Sequence, residues 1–245
     1  MLKAIKSQFI LNVISRNLKN KILLKLIQYN NDLKKKLNIN INNYQQYMHL
    51  KELNEKLDLN IDDINIKILN LKRKLIGNNE LEYLSNVEFK KLEILDLREN
   101  KLTNLKAFQN LNFTKLEKLY FHDNFILDIS AFANSNLKSL KELDLSYNRI
   151  IDIKVFSKVN FGKLEKLFLG SNCISDINVF ENVNMKELKE LDLSENKISD
   201  IRALTNNRLQ KLKLLCLVSN RINENEKMTA LNIIKLQSKI KNLYF

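Results

Sequence analysis

The chain has 245 residues, of which 44% are hydrophobic, and a formal net charge of +13 at pH 7. No run reaches the ~18 apolar residues of a membrane-spanning helix, which predicts a soluble protein. The basic residues are 34 lysines and only 7 arginines. Nucleic-acid surfaces depend on the planar guanidinium of arginine, so this balance does not favour nucleic acid as the partner. The abundance of Asn and Ile, typical of an AT-rich genome, accounts for part of the lysine content.

Residues 1–63 are predicted to form a basic helical N-terminal region. The first 50 residues carry nine basic residues against one acid, Asp32. Apolar residues at helical spacing make residues 1–37 amphipathic, and a polar helix followed by a turn is predicted over 41–63. The basic segment is interpreted as a helical cap on the following domain, as a transit peptide, or as a membrane-surface helix. A transit peptide would carry more Arg and Ser, and a membrane helix would need a second anchor.

From residue 92 to residue 222 the chain repeats itself every 24 residues. The copy at 140–150 reads Leu-Lys-Glu-Leu-Asp-Leu-Ser-Tyr-Asn-Arg-Ile. Its asparagine recurs without a slip as Asn100, Asn124, Asn148, Asn172, Asn196 and Asn220. A degenerate first copy, Ile66–Ile76, has Lys74 in the asparagine position and stands 26 residues before the next one. The segment 77–79 is predicted to absorb the two extra residues.

The pattern L-x-x-L-x-L-x-x-N-x-L/I is identified as that of the leucine-rich repeat family. The resemblance implies an α/β fold, a right-handed solenoid of about seven repeats over residues 64–222 with a parallel sheet on its concave face. Residues 1–63 would cap one end, and a short helix within 223–245 would cap the other. The resemblance also implies that the asparagines form a structural ladder, bonding the backbone of their own and adjacent turns.

The alternation within each repeat predicts which side chains point inward. Leu143 and Leu145 should face the core, while Glu142, Asp144 and Ser146 face outward. The second half of the repeat is predicted to form a short helix or 3₁₀ turn on the convex side. Its predicted N-caps are Asp128, Asp152, Asp176 and Asp200. Its predicted core residues are Phe108, Phe132, Phe156 and Phe180.

The outward positions form three columns across the predicted sheet. Lys and Glu alternate along the first column, so that neighbouring strands form opposite-charge pairs. Asp alternates with an aromatic residue along the second, and Tyr120 and Phe168 are expected to be exposed there. Exposed aromatic side chains beside carboxylates are typical of a partner-binding patch. The predicted partner-binding residues are Lys118, Tyr120, His122, Asp144, Lys166, Phe168 and Asp192.

Catalytic patterns are weak in this sequence. The two histidines, His49 and His122, have no Cys or Ser at a recognisable spacing, and the chain has three glycines. No glycine-rich phosphate loop and no cluster of metal-ligand residues is found. We therefore predict a non-catalytic scaffold, without cofactor or metal, that binds a protein partner on its concave face.

Residues 1–37 also resemble a degenerate F-box. The apolar pairs Ile10-Leu11, Val13-Ile14 and Leu23-Leu24 carry the resemblance, although the early Pro and the Trp near the end of that family are missing. The resemblance implies an alternative function, a substrate receptor of a cullin-type ubiquitin ligase in which residues 1–37 bind the adaptor. Secreted leucine-rich repeat proteins usually have disulfide-bonded caps. With only Cys173 and Cys216 here, an intracellular, cytoplasmic location is predicted.

Overall fold

The structure, a computed structural model, describes residues 41–111, 113–205, 209–228 and 242–245. The chain divides into two compact units, residues 1–62 and residues 63–245. The predictions for residues 1–37, namely the amphipathic helices and the F-box, lie outside the described residues.

In the first unit, helix α1 spans Ile41–Leu57 and confirms the helix predicted between residues 41 and 63. Four of its apolar residues are buried: Met48, Leu50, Leu53 and Leu57. The Asn54 side chain donates to the carbonyl oxygen of Ile61 at 2.8 Å and accepts from its N–H at 3.1 Å. These two bonds fold the chain back after the helix. The role of this unit as a cap stays a prediction.

The second unit is built on one sheet of eight parallel strands in sequence order, which confirms the predicted solenoid. Each strand pairs with the next in a register set by the repeat, so that Leu95, Leu119 and Leu143 are successive partners. These inward leucines are fully buried, and the flanking residues are partly exposed except for Asp96, which is buried. The strands are β1 (Ile68–Asn70), β2 (Ile94–Asp96), β3 (Lys118–Tyr120), β4 (Glu142–Asp144), β5 (Lys166–Phe168), β6 (Glu190–Asp192), β7 (Leu214–Cys216) and β8 (Asn242–Tyr244).

The asparagine ladder is present as predicted. The Oδ1 of Asn148 accepts the N–H of Ile126 in the preceding repeat at 2.9 Å. Its amide group donates to the carbonyl oxygens of Phe121 at 3.1 Å and Leu145 at 3.0 Å. The same bonds recur at Asn124, Asn172 and Asn196. One side chain thus satisfies buried backbone groups of two turns, where unpaired groups would be costly.

The residue before each ladder asparagine adopts the left-handed conformation, which the sequence did not predict. The φ angles of these residues lie between 52° and 58°, although none of them is glycine. Backbone bonds hold the conformation: the N–H of Tyr147 donates to the carbonyl oxygen of Gly170 at 2.9 Å. A left-handed residue other than Gly is disfavoured by roughly 1–2 kcal/mol, so the inter-repeat bonds must offset that cost in each turn. The affected residues are Glu99, Asp123, Tyr147, Ser171, Glu195 and Ser219.

The second half of each regular repeat contains a 3₁₀ turn, as predicted. These turns span Lys106–Asn110, Ser130–Asn134, Lys154–Lys158, Asn178–Glu181 and Arg202–Thr205. The prediction that the repeated aspartates are N-caps was wrong by one position. The N-cap of the second turn is Ile129, and Asp128 instead accepts the N–H of Ser130 at 2.8 Å across an Asx-type turn. Asp152, Asp176 and Asp200 make the same bond, and so does Asn104.

The phenylalanines of these turns lie in the core, as predicted. Phe108, Phe132, Phe156 and Phe180 are at most 1% exposed. The ring of Phe108 meets the ring of Phe132 edge to face at 6.3 Å and that of Phe121 at 5.2 Å. Edge-to-face contacts of this kind add to the free energy of burial.

The two ends of the solenoid depart from the regular repeat. In the first repeat, the two extra residues belong to an α-helix, α2 (Asn78–Ser85), that replaces the 3₁₀ turn. At the other end, residues 224–228 are helical, as predicted for the tail. Strand β8 was not predicted: it pairs with β7, and Leu243 lies opposite Leu215. The prediction of a capping helix within residues 223–245 therefore did not include this strand.

Candidate functional site

The outward side chains of the strands and the residues just after them form one surface, which we call the sheet face. The first column runs Ile94, Lys118, Glu142, Lys166, Glu190 and Leu214. The second runs Asp96, Tyr120, Asp144, Phe168, Asp192 and Cys216. The parallel register thus brings the predicted partner-binding residues of β3 to β6 side by side. Neighbours in a column are about 4.8 Å apart.

The lysines of the first column pair with glutamates of the next strand, as predicted. Lys118 Nζ lies 3.4 Å from a Glu142 carboxylate oxygen, and Lys166 Nζ lies 2.9 Å from Glu190. The hydrogen bond that Lys166 donates to Glu190 raises the pKa of Lys166. Partly exposed pairs of this kind contribute about 0–1 kcal/mol to stability. Their main effect is to leave this column close to neutral.

Tyr120 is half-buried, which corrects the prediction that it is exposed. The guanidinium of Arg98 lies over its ring, 5.2 Å from the centroid. Arg98 is itself fixed by two bonds to the buried carboxylate of Asp96, at 2.9 and 2.5 Å. The phenol also hydrogen-bonds Glu142 of the next strand. Tyr120 is therefore held from both sides by neighbouring repeats, and its orientation is fixed before any partner binds.

The surroundings of Tyr120 predict that its phenol ionises at a higher pH than that of an ordinary tyrosine. Burial, followed by the charge of Glu142 and the hydrogen bond with it, raises the pKa of Tyr120 to about 12 from 10.0. A raised pKa means that folding favours the neutral phenol, so this contribution to stability is complete below pH 10 and is lost as pH rises towards 12. We expect the difference in absorbance at 295 nm between wild type and Tyr120→Phe to stay small at pH 10. If this absorbance difference has already reached half of its maximum value at pH 10, the result would contradict this structure.

His122 is linked to Asp144 through a serine of the next repeat. The hydroxyl and the N–H of Ser146 both donate to Asp144 Oδ1, the latter at 3.0 Å. His122 Nδ1 lies 3.0 Å from the same hydroxyl oxygen. Because the serine proton is donated to Asp144, Nδ1 carries the proton that Ser146 accepts, and Nε2 is left for a partner. A catalytic triad needs the histidine between serine and carboxylate, so this order does not activate a nucleophile.

Phe168 lies between two carboxylates of the second column. It is half-buried rather than exposed, and its strand neighbours are Asp144 and Asp192. Asp192 repeats the geometry of Asp144, accepting from the N–H and hydroxyl of Ser194 at 2.9 and 2.6 Å. At Gly170 a Cβ would meet the Ser194 hydroxyl at 2.9 Å, so glycine makes room for this bond. Among the described residues, no lysine or arginine forms an ion pair with either carboxylate.

A group of exposed apolar residues beside the sheet face was not predicted from the sequence. They are Phe125, Leu127, Tyr147 and Ile151, which flank the ladder asparagines of two successive repeats. The ring of Tyr147 contacts the ring of His122 at a centroid distance of 4.9 Å. Other repeats have polar residues at the positions of Leu127 and Ile151, such as Thr103 and Ser175. A comparison of the repeats column by column would have found this departure.

Comparison with known protein families agrees with this geometry. The sequence profile described as "Leucine Rich repeats (2 copies)" matches residues 114–158 and 162–206. These two segments of the chain are leucine-rich repeats. The structure is similar to internalin C2 of Listeria monocytogenes, with a TM-score of 0.54 and 21% sequence identity over 80% of this chain and 91% of that one. At this identity the similarity shows a shared fold.

Two further solved structures match less well. An internalin of Listeria monocytogenes (inlF) is 24% identical over 80% of this chain and 81% of that one, with a TM-score of 0.34. A leucine-rich repeat protein of Leptospira interrogans is 21% identical over 71% of this chain and 59% of that one, with a TM-score of 0.47. No curated protein matches the chain in sequence.

Leucine-rich repeats are a common protein–protein interaction module and are generally non-catalytic. Their stacked turns provide extended binding surfaces. None of the helices in the described ranges has the length and hydropathy of a membrane span. Within the same residues, no group of three or more His, Cys, Asp or Glu could hold a metal ion.

Proposed function

We propose that the protein is a non-catalytic scaffold that binds a protein partner on its sheet face, the face predicted to be concave. The proposal rests on the position of Phe168 between Asp144 and Asp192 on the neighbouring strands. Within the described part of the chain, neither of these two carboxylates forms an ion pair. Aromatic side chains at the centre of an interface often dominate the binding energy. The two carboxylates would then select a cationic group next to the apolar contact.

Rigid presentation of these side chains supports the same function. Tyr120 is fixed by Arg98 and Glu142, and Asp144 is fixed by Ser146. Side chains that are already ordered lose less conformational entropy when a partner binds, about 0.5–1.5 kcal/mol less for each one. The surrounding Lys and Glu pairs would form a neutral polar rim. Such a rim excludes water from the centre without dominating the affinity.

The charges of the sheet face favour a protein over a nucleic acid. The second column contains Asp96, Asp144 and Asp192 and no basic residue, and the lysines of the first column are paired with glutamates. A phosphate backbone binds through unpaired Lys and Arg side chains, which release condensed counterions. Two carboxylates without cations beside Phe168 would repel phosphates. The sheet face therefore does not share the basic character of the whole chain, whose net charge is +13.

Site-specific photo-crosslinking in cells tests the proposal. Benzoylphenylalanine in place of Phe168 should capture a partner protein, because the side chain lies in the second column of the sheet face. The matched control places the same group at Ser157, which is exposed on the 3₁₀ side of the repeat. We expect a discrete adduct from position 168 that is absent from position 157. The same adduct from both positions, or none from position 168, would contradict the proposal.

The alternative function concerns residues 1–37 rather than the sheet face. The F-box resemblance supports a substrate receptor, in which the sheet face binds a substrate and residues 1–37 bind the adaptor of a cullin-type ubiquitin ligase. Such an adaptor would be recovered with the full chain and lost when residues 1–40 are deleted. An intracellular location, also a proposal, is consistent with both functions.

A further inference from the structure

A second surface lies beside the sheet face, at the turns that carry the ladder asparagines. Phe125, Leu127, Tyr147 and Ile151 are 42%, 52%, 53% and 59% exposed. They come from two successive repeats, and backbone bonds hold those repeats in register: the N–H of Arg149 donates to the carbonyl oxygen of Ile126 at 2.9 Å. Contiguous apolar side chains on a protein surface usually mark an interaction site. We call this group the lateral patch.

A basic column crosses the lateral patch. The residue after each ladder asparagine is Lys101, Phe125, Arg149, Cys173, Lys197 and Arg221 in successive repeats. Each of these residues donates its backbone N–H to the preceding repeat at 2.8 or 2.9 Å, so the column is evenly spaced. It contains four cations and no carboxylate.

The cations of this column differ from four lysines that lie in the strands or directly before them. Lys118, Lys141, Lys166 and Lys189 each pair with a glutamate of an adjacent strand or turn. Lys101, Arg149, Lys197 and Arg221 form no ion pair within the described ranges of the chain. The aspartates of the adjacent 3₁₀ turns accept backbone N–H groups, and Asp176 and Asp200 pair with Lys154 and Arg202 rather than with the column. The Arg149 guanidinium lies over the Phe125 ring, 4.9 Å from its centroid, so that charge and apolar surface are contiguous.

We propose that the lateral patch binds an acidic, extended peptide segment of a partner protein that carries a large apolar side chain. The carboxylates would pair with the cations of the basic column, and the apolar side chain would cover Phe125, Leu127 and Ile151. A bare polyanion such as a nucleic acid would satisfy the cations but would leave these three side chains in water. The combination of charge and apolar surface therefore favours a peptide.

The spacing of the column specifies the peptide further. Lys101, Arg149 and Lys197 are separated by two repeats each, or about 10 Å at the strand spacing. A polyproline II chain has three residues per turn and rises about 3.1 Å per residue, so that every third side chain faces the same way at intervals of about 9 Å. A segment with glutamate at every third position would match three cations in succession. The apolar residue would follow the first glutamate, and its side chain would point to the side of the column, towards Leu127 and Ile151.

Fluorescence anisotropy with a labelled peptide tests this proposal. The probe is Glu-Phe-Pro-Glu-Ser-Pro-Glu, and its control has the same residues with the three glutamates adjacent. We expect the full chain to bind the probe and to bind the control at least fivefold more weakly. Arg149→Glu, and separately Phe125→Ser with Ile151→Ser, should each weaken the probe at least tenfold. These positions are exposed, so near-UV circular dichroism and the thermal transition should stay close to wild type.

Lys158→Glu provides a matched control, because it makes the same reversal of charge at an exposed residue of a 3₁₀ turn. It should change the affinity for the probe by less than twofold. The proposal is overturned if the wild-type chain does not bind the probe at 1 mM, or if Lys158→Glu weakens it as much as Arg149→Glu. It is also overturned if oligothymidylate or phosphatidylserine vesicles bind through Arg149 more tightly than the probe. The sheet-face variants are not involved, so this result is independent of the proposed function.

Discussion

Replacement of Asn148 with alanine is expected to lower the free energy of unfolding by about 3–5 kcal/mol. The side chain accepts the N–H of Ile126 at 2.9 Å and donates to the carbonyl oxygens of Phe121 and Leu145 at 3.1 and 3.0 Å. Alanine removes all of these bonds from a position that is 8% exposed. Each buried backbone group left without a partner costs about 1–3 kcal/mol. The loss should therefore be large for a change that removes so few atoms.

Urea denaturation followed by far-UV circular dichroism measures this effect. Lys197→Ala is the matched control, because its exposed side chain follows ladder residue Asn196 and forms no ion pair in the described part of the chain. It should change the free energy of unfolding by less than about 0.5 kcal/mol. A loss below about 1 kcal/mol for Asn148→Ala would mean that water or a relaxed turn satisfies the backbone groups. That result would contradict the structural role of the ladder.

The sheet register and the ladder were predictable because the same physical requirement recurs in every repeat. Leu119 and Leu143 must both face the core, and a shift of one residue would expose every leucine of a strand. The constant spacing of 24 residues between Asn124 and Asn148 then fixes which strand residues are neighbours. The pairing of Lys118 with Glu142 was also predictable, because the register makes them neighbours. Opposite charges in adjacent strands are a local rule that needs no knowledge of the rest of the fold.

The properties that were not predicted depend on contacts that the repeat pattern does not contain. The left-handed conformation of Tyr147 is held by its backbone bond to Gly170. Position 147 is not a glycine, so the residue type does not indicate this conformation. The burial of Tyr120 depends on Arg98, which belongs to the preceding repeat. Strand β8 lies outside the strict period, since Leu243 stands 28 residues after Leu215 instead of 24.

The residues of the candidate site were therefore predicted better than their contacts and exposure. Phe168, Asp144 and Asp192 are strand neighbours, as the repeat spacing predicted. The link from His122 through Ser146 to Asp144 was not predictable, because it needs three side chains from two repeats to point towards each other. The lateral patch was not predicted either. The positions of Phe125 and Ile151 are variable turn positions, where exposure is decided by neighbouring side chains.

The second large expected effect concerns binding. Tyr120→Ala combined with Phe168→Ala should weaken the sheet-face partner at least 100-fold, because two central aromatic side chains are each expected to contribute about 2 kcal/mol or more. The variant should lose some stability, since Tyr120 also packs under Arg98 and bonds Glu142. Near-UV circular dichroism will show whether it remains folded. Lys138→Ala with Lys186→Ala is the matched control, because both side chains are exposed and lie outside the sheet face.

Isothermal titration of these variants with the partner identified by cross-linking at position 168 is the most direct measurement. It tests whether the side chains between the ladder residues carry the function of this solenoid. The account predicts a Kd at least 100-fold higher for the double aromatic variant and a change of less than fivefold for the double lysine variant. An affinity of the folded aromatic variant within fivefold of wild type would show that the partner binds elsewhere, and it would contradict the account.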